Sequence, residues 1–156
     1  MKIVVLERNS VGTDIDVSCF EKLGETVYYP NTLKDQIAER IADADIIVAN
    51  KAPLNEETLK DAKNVKYISE FATGYDNIDL EYCASRGILV SNVRNYSTEA
   101  VAQHTFALLF YLLEHLNIYD NYVKSGEYGS QDRFSNFDIP YLEISGKTWV
   151  IIGNGN

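Results

Sequence analysis

The feature that constrains this chain most is a recurrence: a short apolar run, a helical stretch, then another apolar run, repeated through the first 95 residues. Ile3, Val4, Val5 and Leu6 form an apolar, largely β-branched run bounded by polar residues, the pattern of a strand buried on both faces. A helical stretch over 17–23, closed by Gly24 at the C′ position, leads to a second strand at 25–29 that Pro30 stops. A helix over 33–41, a strand at 46–49, a helix over 56–62 and a strand at 65–69 continue the alternation. A helix over 80–85, ended near Gly87, and a strand at 88–91 complete it. Strands alternating with helices of this length predict parallel pairing through right-handed crossovers.

The expected fold class is therefore α/β: a flavodoxin-like doubly wound parallel sheet of five strands over residues 1–95. Residues 96–156 differ. Ser97 is an expected N-cap of one long helix running to about Lys124, and Phe106, Leu109, Phe110, Leu112, Leu113 and Leu116 leave its middle without a wholly polar face. That helix is expected to be buried on most sides. A polar and aromatic loop over 126–140 follows, then Gly146 and Lys147 lead into a sixth strand at 148–152 and the run Gly153, Asn154, Gly155 and Asn156. A strand entering Gly-x-Gly is the front half of a dinucleotide-binding fingerprint, the first glycine making the turn and the second admitting a pyrophosphate. The third glycine and the helix that would follow are not in the sequence, and an apolar strand without a crossover partner ends a domain poorly. The expectation is a chain truncated at the Gly-rich loop, holding the first long helix and first strand of a Rossmann domain over residues 96–156.

Composition narrows the function classes. With 46% apolar and 24% charged residues the chain is of ordinary globular type. A formal charge of -9 opposes binding to nucleic acid or to anionic membrane surfaces. The apolar stretch inside the long helix is too short to span a bilayer, which takes about 20 residues. Cys19 and Cys83 lack the spacing of a metal site or redox dithiol and are expected to be buried, reduced thiols. The N-terminal apolar run is shorter than a signal-peptide core, so the expected location is cytoplasmic.

Five segments in matching order carry a resemblance across nearly the whole chain: Asn50 to Leu54, Phe71 to Asp79, Gly87 to Val93, Ser97 to Thr105, and Gly146 to Gly155. They resemble the D-isomer-specific 2-hydroxyacid dehydrogenases, and the Asn-Lys-x-Pro-Leu and Gln-His-Thr-Phe-Ala-Leu-Leu runs are most similar to the glycerate dehydrogenase, or hydroxypyruvate reductase, branch. The resemblance implies NAD-linked reduction of a small 2-oxo acid and a homodimer. The Arg, Glu and His that do the chemistry in this family match no position here. His104, His115, Arg94 and Arg133 have no claim to those roles. On the substrate side, Thr73 and Gly74 match a turn whose backbone N–H groups receive the substrate carboxylate, and Lys51 matches a position lining the cleft. Thr73, Val101, Gly153, Gly155 and Asn156 match positions lying against the cofactor. From the residues alone, Thr73 and Gly74 equally make a plain turn, Lys51 a solvated loop lysine and Val101 a packing residue. Asp76 and Asn77 are expected to cap the helix that follows.

Two function classes stand against each other. The first is the N-terminal part of a D-2-hydroxyacid dehydrogenase, with hydroxypyruvate and glycerate as favoured substrate pair and D-lactate or phosphoglycerate chemistry as alternatives. The second is a non-catalytic flavodoxin-like module that uses its long helix as a partner surface. The choice between NADH and NADPH stays open, because the acidic residue that discriminates them is not in this sequence.

Overall fold

The computed structural model describes residues 1–140 and 142–153, which fall into two compact units, Met1–Arg94 and Asn95–Asn156. In the first unit five strands form one wholly parallel sheet in the order β2-β1-β3-β4-β5: β1 Lys2–Val5, β2 Glu25–Tyr28, β3 Ile46–Ala49, β4 Tyr67–Glu70 and β5 Leu89–Ser91. The chain leaves β1 in one direction to make β2 and in the other to make β3, so the topological switch point lies between β1 and β3.

Both sheet faces are apolar because β1 and β3 carry apolar residues at every position of the pleat facing a cover. Val4, Leu6, Ile47 and Ala49 face the larger core, where Ile37 from the first helix and Ile41 at its C-cap, Leu59 from the second and Cys83 from the third pack on them. Those helices are α1 Lys34–Arg40, α2 Glu56–Leu59 and α3 Leu80–Ser85. Leu6, Ile37, Ile41, Ile47, Leu54, Leu59 and Ile68 are wholly buried, each contributing about 1.5–3 kcal/mol of transfer free energy. Ile3, Val5 and Val48 face the other way, against Phe20, Tyr28, Ile46 and Phe71.

Local expectations were corrected in several places. The stretch after β1 is a 3-10 turn, Ser18–Lys22, rather than an α-helix. Gly24 is not a left-handed C′ residue; its need is steric, since a Cβ there would sit 2.3 Å from the Met1 carbonyl oxygen. Gly87 is the left-handed stop of α3, at φ +68°. Asp76 and Asn77 do not cap α3: Asp79 does, its carboxylate accepting from the Tyr82 amide at 2.9 Å. Cys83 is buried, and burial raises its thiol pKa; Cys19 is exposed, because the short 3-10 turn turns Phe20 inward instead.

In the second unit the long helix is two: α4 Thr98–Leu113 and α5 Leu116–Lys124, with His115 left-handed at φ 51° between them. A residue in that conformation cannot continue the i to i−4 ladder. Ser97 makes no side-chain cap. A short helix, α6 Glu127–Ser130, follows. No residue of α4 is buried; Phe106 and Leu108 are each 50% exposed and Leu112 68%, contrary to the expectation of burial on most sides. Leu142, Ile144 and Trp149 form with α4 an apolar recess of about 450 Å3, with Trp149 edge-on to Phe106 at 5.1 Å. Residues 148–152 form no strand: among the described residues none offers them a paired edge, and Ile152 is fully exposed.

Candidate functional site at the carboxyl edge of the sheet

In a parallel sheet every strand ends on the same edge, and the loops that follow gather there. Beyond β1 comes Glu7; beyond β3 come Asn50, Lys51 and Ala52; β4 ends at Glu70 and runs into Phe71, Ala72, Thr73 and Gly74. The first two loops flank the switch point between β1 and β3, the crevice where open α/β sheets take ligands.

Glu7 organises the β3 loop. One carboxylate oxygen, Oε2, accepts the backbone N–H groups of Asn50, Lys51 and Ala52 at 2.8, 2.8 and 3.0 Å. Successive N–H groups converging on one anion form a nest. Here the protein fills that nest with its own carboxylate. Lys51 itself is exposed, and its ammonium makes no ion pair among the described residues.

The turn after β4 is different. Among the described residues nothing accepts the amide N–H of Thr73 or of Gly74. Both residues are exposed, and the turn is pinned from behind: Thr73 Oγ1 donates to the Val93 carbonyl at 3.0 Å, and Asn92 Nδ2 donates to the Thr73 carbonyl at 2.7 Å. Its far end is held to the segment after β3, where Leu54 N donates to the Asn77 carbonyl at 2.9 Å and Asp79 N to the Leu54 carbonyl at 2.9 Å. The turn is therefore fixed in place while two of its backbone donors remain open to solvent.

Glu70 lies beneath this turn with no solvent exposure. Among the described residues its Oε1 has no hydrogen-bond partner, and Oε2 accepts from Asn77 Nδ2 at 3.4 Å. Burial, reinforced by the charge of Glu7 and opposed by the Asn77 bond and Lys51, pushes its carboxyl up to about 7. Asn77 Nδ2 also donates to the Ala52 carbonyl at 3.1 Å. A polar chain thus runs from Glu7 through the β3 loop and Asn77 to Glu70.

Of the residues expected at the site, the structure brings Lys51, Thr73 and Gly74 to the carboxyl ends of two adjacent strands. Val101 and Gly153 belong to the second unit: Val101 is exposed on α4, and Gly153 takes φ +115° with open space around it. Gly155 and Asn156 lie outside the described residues. Sequence reasoning missed Glu7, Glu70, Asn77 and Asn92. Glu70 did leave a signal: it shares a strand face with Ile68, two residues before it, so a charged residue stands where the pleat calls for an apolar one. Among the described residues no group of His, Cys, Asp and Glu is arranged to hold a metal ion, and no helix is long and apolar enough to cross a membrane.

A doubly wound, wholly parallel sheet whose following loops gather at one edge places the first unit among the α/β folds. The chain belongs to the D-isomer specific 2-hydroxyacid dehydrogenase family: the model of that family's catalytic domain matches residues 3–146. It is similar to a hydroxypyruvate reductase of Blautia hydrogenotrophica, 34% identical over 99% of this chain and 49% of the relative. A glycerate dehydrogenase of Methylorubrum extorquens is 36% identical with the same coverage. Among solved structures, D-lactate dehydrogenase from Aquifex aeolicus, complexed with NAD and lactic acid, superimposes with a TM-score of 0.68 at 30% identity, over 85% of this chain and 39% of that one. The chain spans about half the length of the curated relatives it matches.

Proposed function

We propose that this chain supplies the substrate side of an NAD-dependent D-2-hydroxyacid dehydrogenase that reduces a small 2-oxo acid, with hydroxypyruvate the favoured substrate. The observation that carries this reading is the turn at Thr73 and Gly74, whose two amide N–H groups have no acceptor among the described residues while the neighbouring nest is already filled by Glu7. A 2-oxo acid brings a carboxylate to such donors, and the Lys51 ammonium adds a long-range attraction for the anion. The names of the two curated relatives support hydroxypyruvate and glycerate over D-lactate or phosphoglycerate.

Residues 1–95 act in this reading as the substrate domain and residues 96–156 as the start of the nucleotide-binding domain. The residues present fit a dinucleotide in part: Gly153 has the positive φ and the open surroundings that a pyrophosphate-binding turn requires. Thr73 and Val101 would lie against the cofactor, with Gly155 and Asn156 continuing its phosphate loop. When bound, the nicotinamide supplies the hydride; the residues of this chain bind and orient the acid. A homodimer, formed through the apolar face of α4, belongs to the same reading.

The test compares two proteins. A protein in which this chain is joined to the Arg, Glu and His of the family is expected to oxidise NADH in the presence of hydroxypyruvate, whereas the 156 residues by themselves, in which the resemblance matches none of those three, are expected not to. Turnover by the rigorously purified short chain, above a heat-killed control, overturns the assignment of roles. Absence of turnover by the whole protein with any 2-oxo acid overturns the activity and favours the non-catalytic module.

A further inference from the structure

The first-unit loop that begins at Glu70 and ends at Asn77 carries Thr73 and Gly74 at its tip, and the bond from Asn77 Nδ2 to Glu70 Oε2, at 3.4 Å, closes it across its base. The same Asn77 nitrogen reaches the Ala52 carbonyl at 3.1 Å, in the loop whose amides Glu7 gathers. We propose that Glu70 is a positioning residue of the proposed substrate site, holding the Thr73–Gly74 turn and the Lys51 loop in register through Asn77. The inference rests on the functional reading above for the meaning of those two turns, but the coupling itself does not.

Three features set Glu70 apart from an ordinary core residue. It is wholly buried; its Oε1 is unpartnered among the described residues; and its neighbours of like and opposite charge both stand on the ligand-binding edge, Glu7 after β1 and Lys51 after β3. A buried carboxyl with one bare oxygen is held as the neutral acid, since the charged form would lose its hydration without replacement. Neutral, it accepts from Asn77 and adds no charge to the edge, where Glu7 and Lys51 offset each other. Ionised, it would add a negative charge beside Glu7, tighten its hold on Asn77 and draw on Lys51, the cation facing the substrate. Its titration falls near 7, so the register of the two turns and their attraction for an anion are expected to change across neutral pH.

The experiment is an NMR titration of the 156-residue chain that follows the Glu70 side-chain carboxyl carbon together with the backbone amides of Ala52, Thr73 and Gly74. The three amides are expected to shift with the Glu70 midpoint in the wild type and to lose that transition in Glu70→Gln, which keeps the shape and the neutral state. Asn77→Ala, with Glu70 intact, is expected to keep a Glu70 titration, moved up in pH by loss of the bond that opposes protonation, while uncoupling Ala52 from it. Amides that stay flat while Glu70 titrates, or that respond equally in Glu70→Gln, overturn the proposal. In the whole enzyme, KM for hydroxypyruvate is expected to rise several-fold across neutral pH with little change in kcat, and Glu70→Gln to flatten that rise; an unchanged KM profile in Glu70→Gln overturns the positioning role. If the whole protein turns over no 2-oxo acid, the functional reading fails, and the amide titration still decides whether Glu70 couples the two turns.

Discussion

At Gly74 an added Cβ would meet only Asp76 Oδ2, at 3.8 Å, and the backbone does not adopt a positive φ. Neither the packing nor the dihedral of this turn requires glycine, so a side chain there costs the fold little and obstructs whatever approaches the two free N–H groups. Gly74→Val is therefore expected to raise KM for hydroxypyruvate in the whole enzyme far more than Lys51→Ala, which removes one screened charge; steady-state kinetics giving equal losses would sink that ranking. Glu70 makes a second residue-level prediction. Its carboxyl titrates at about 7 in the folded chain against an ordinary value of 4.5, so the folded state holds this proton more tightly than the unfolded state does. The stability tied to that proton is fully present below the unfolded value and is lost as pH rises through the folded one, by up to about 3 kcal/mol. Melting temperatures of Glu70→Gln and wild type are expected to coincide below about pH 4.5, diverge from there up to about 7 in favour of Glu70→Gln, and run parallel above it. A constant difference at every pH would show that Glu70 is not held neutral.

Among the elements, α3 shows how a short helix is set in place. It has only six residues, too few to be stable alone, and its start depends on the Asp79 carboxylate taking the Tyr82 amide while Gly87 ends it in the left-handed region. Asp79→Ala is expected to lower unfolding free energy by about 1 kcal/mol, read by urea titration followed through circular dichroism. A change within error would place the helix start under the control of Cys83 packing instead. The strand and helix alternation of this unit was legible in the sequence, because period and apolar runs report burial directly. The break at His115 was not, since His carries no breaker signal and only the dihedral reveals the turn. Nor was the capping residue of α3: Asp76, Asn77 and Asp79 are all competent N-caps, and the bonds made by Asn77 to Ala52 and Glu70 decide which one is free to cap.

For the whole molecule, the second unit carries the sharpest departure from a self-sufficient fold. Phe106, Phe110, Leu112 and Leu116 are each at least 40% exposed, on helices whose described unit covers little of them. Contiguous apolar patches beyond a few hundred Å2 mark association surfaces. Leaving such a patch wet forgoes several kcal/mol at about 25 cal/mol per Å2, a large part of a domain's stability of about 5–15 kcal/mol. The chain is expected to dimerise at tens of micromolar, since a two-fold contact between two α4 helices covers both patches at once. Sedimentation velocity checks this, and a compact monomer with α4 protected in hydrogen exchange would refute it.

What the sequence by itself determined is the parallel α/β sheet and the edge on which the loops after its strands gather. Apolar runs of β-branched residues separated by amphipathic stretches have few other ways to bury themselves, and parallel strands put all their following loops, including Lys51, Thr73 and Gly74, on one edge. What only the tertiary structure decided is which groups on that edge are free. Glu7 closes the nest of Asn50, Lys51 and Ala52 from more than 40 residues away, Glu70 meets Asn77 beneath the turn, and Thr73 is pinned by Asn92 and Val93. The partners of Glu7 and of Thr73, about 20 to 45 residues away, are chosen by packing, which no local pattern records, and the Glu70–Asn77 bond exists only because the turn between them closes.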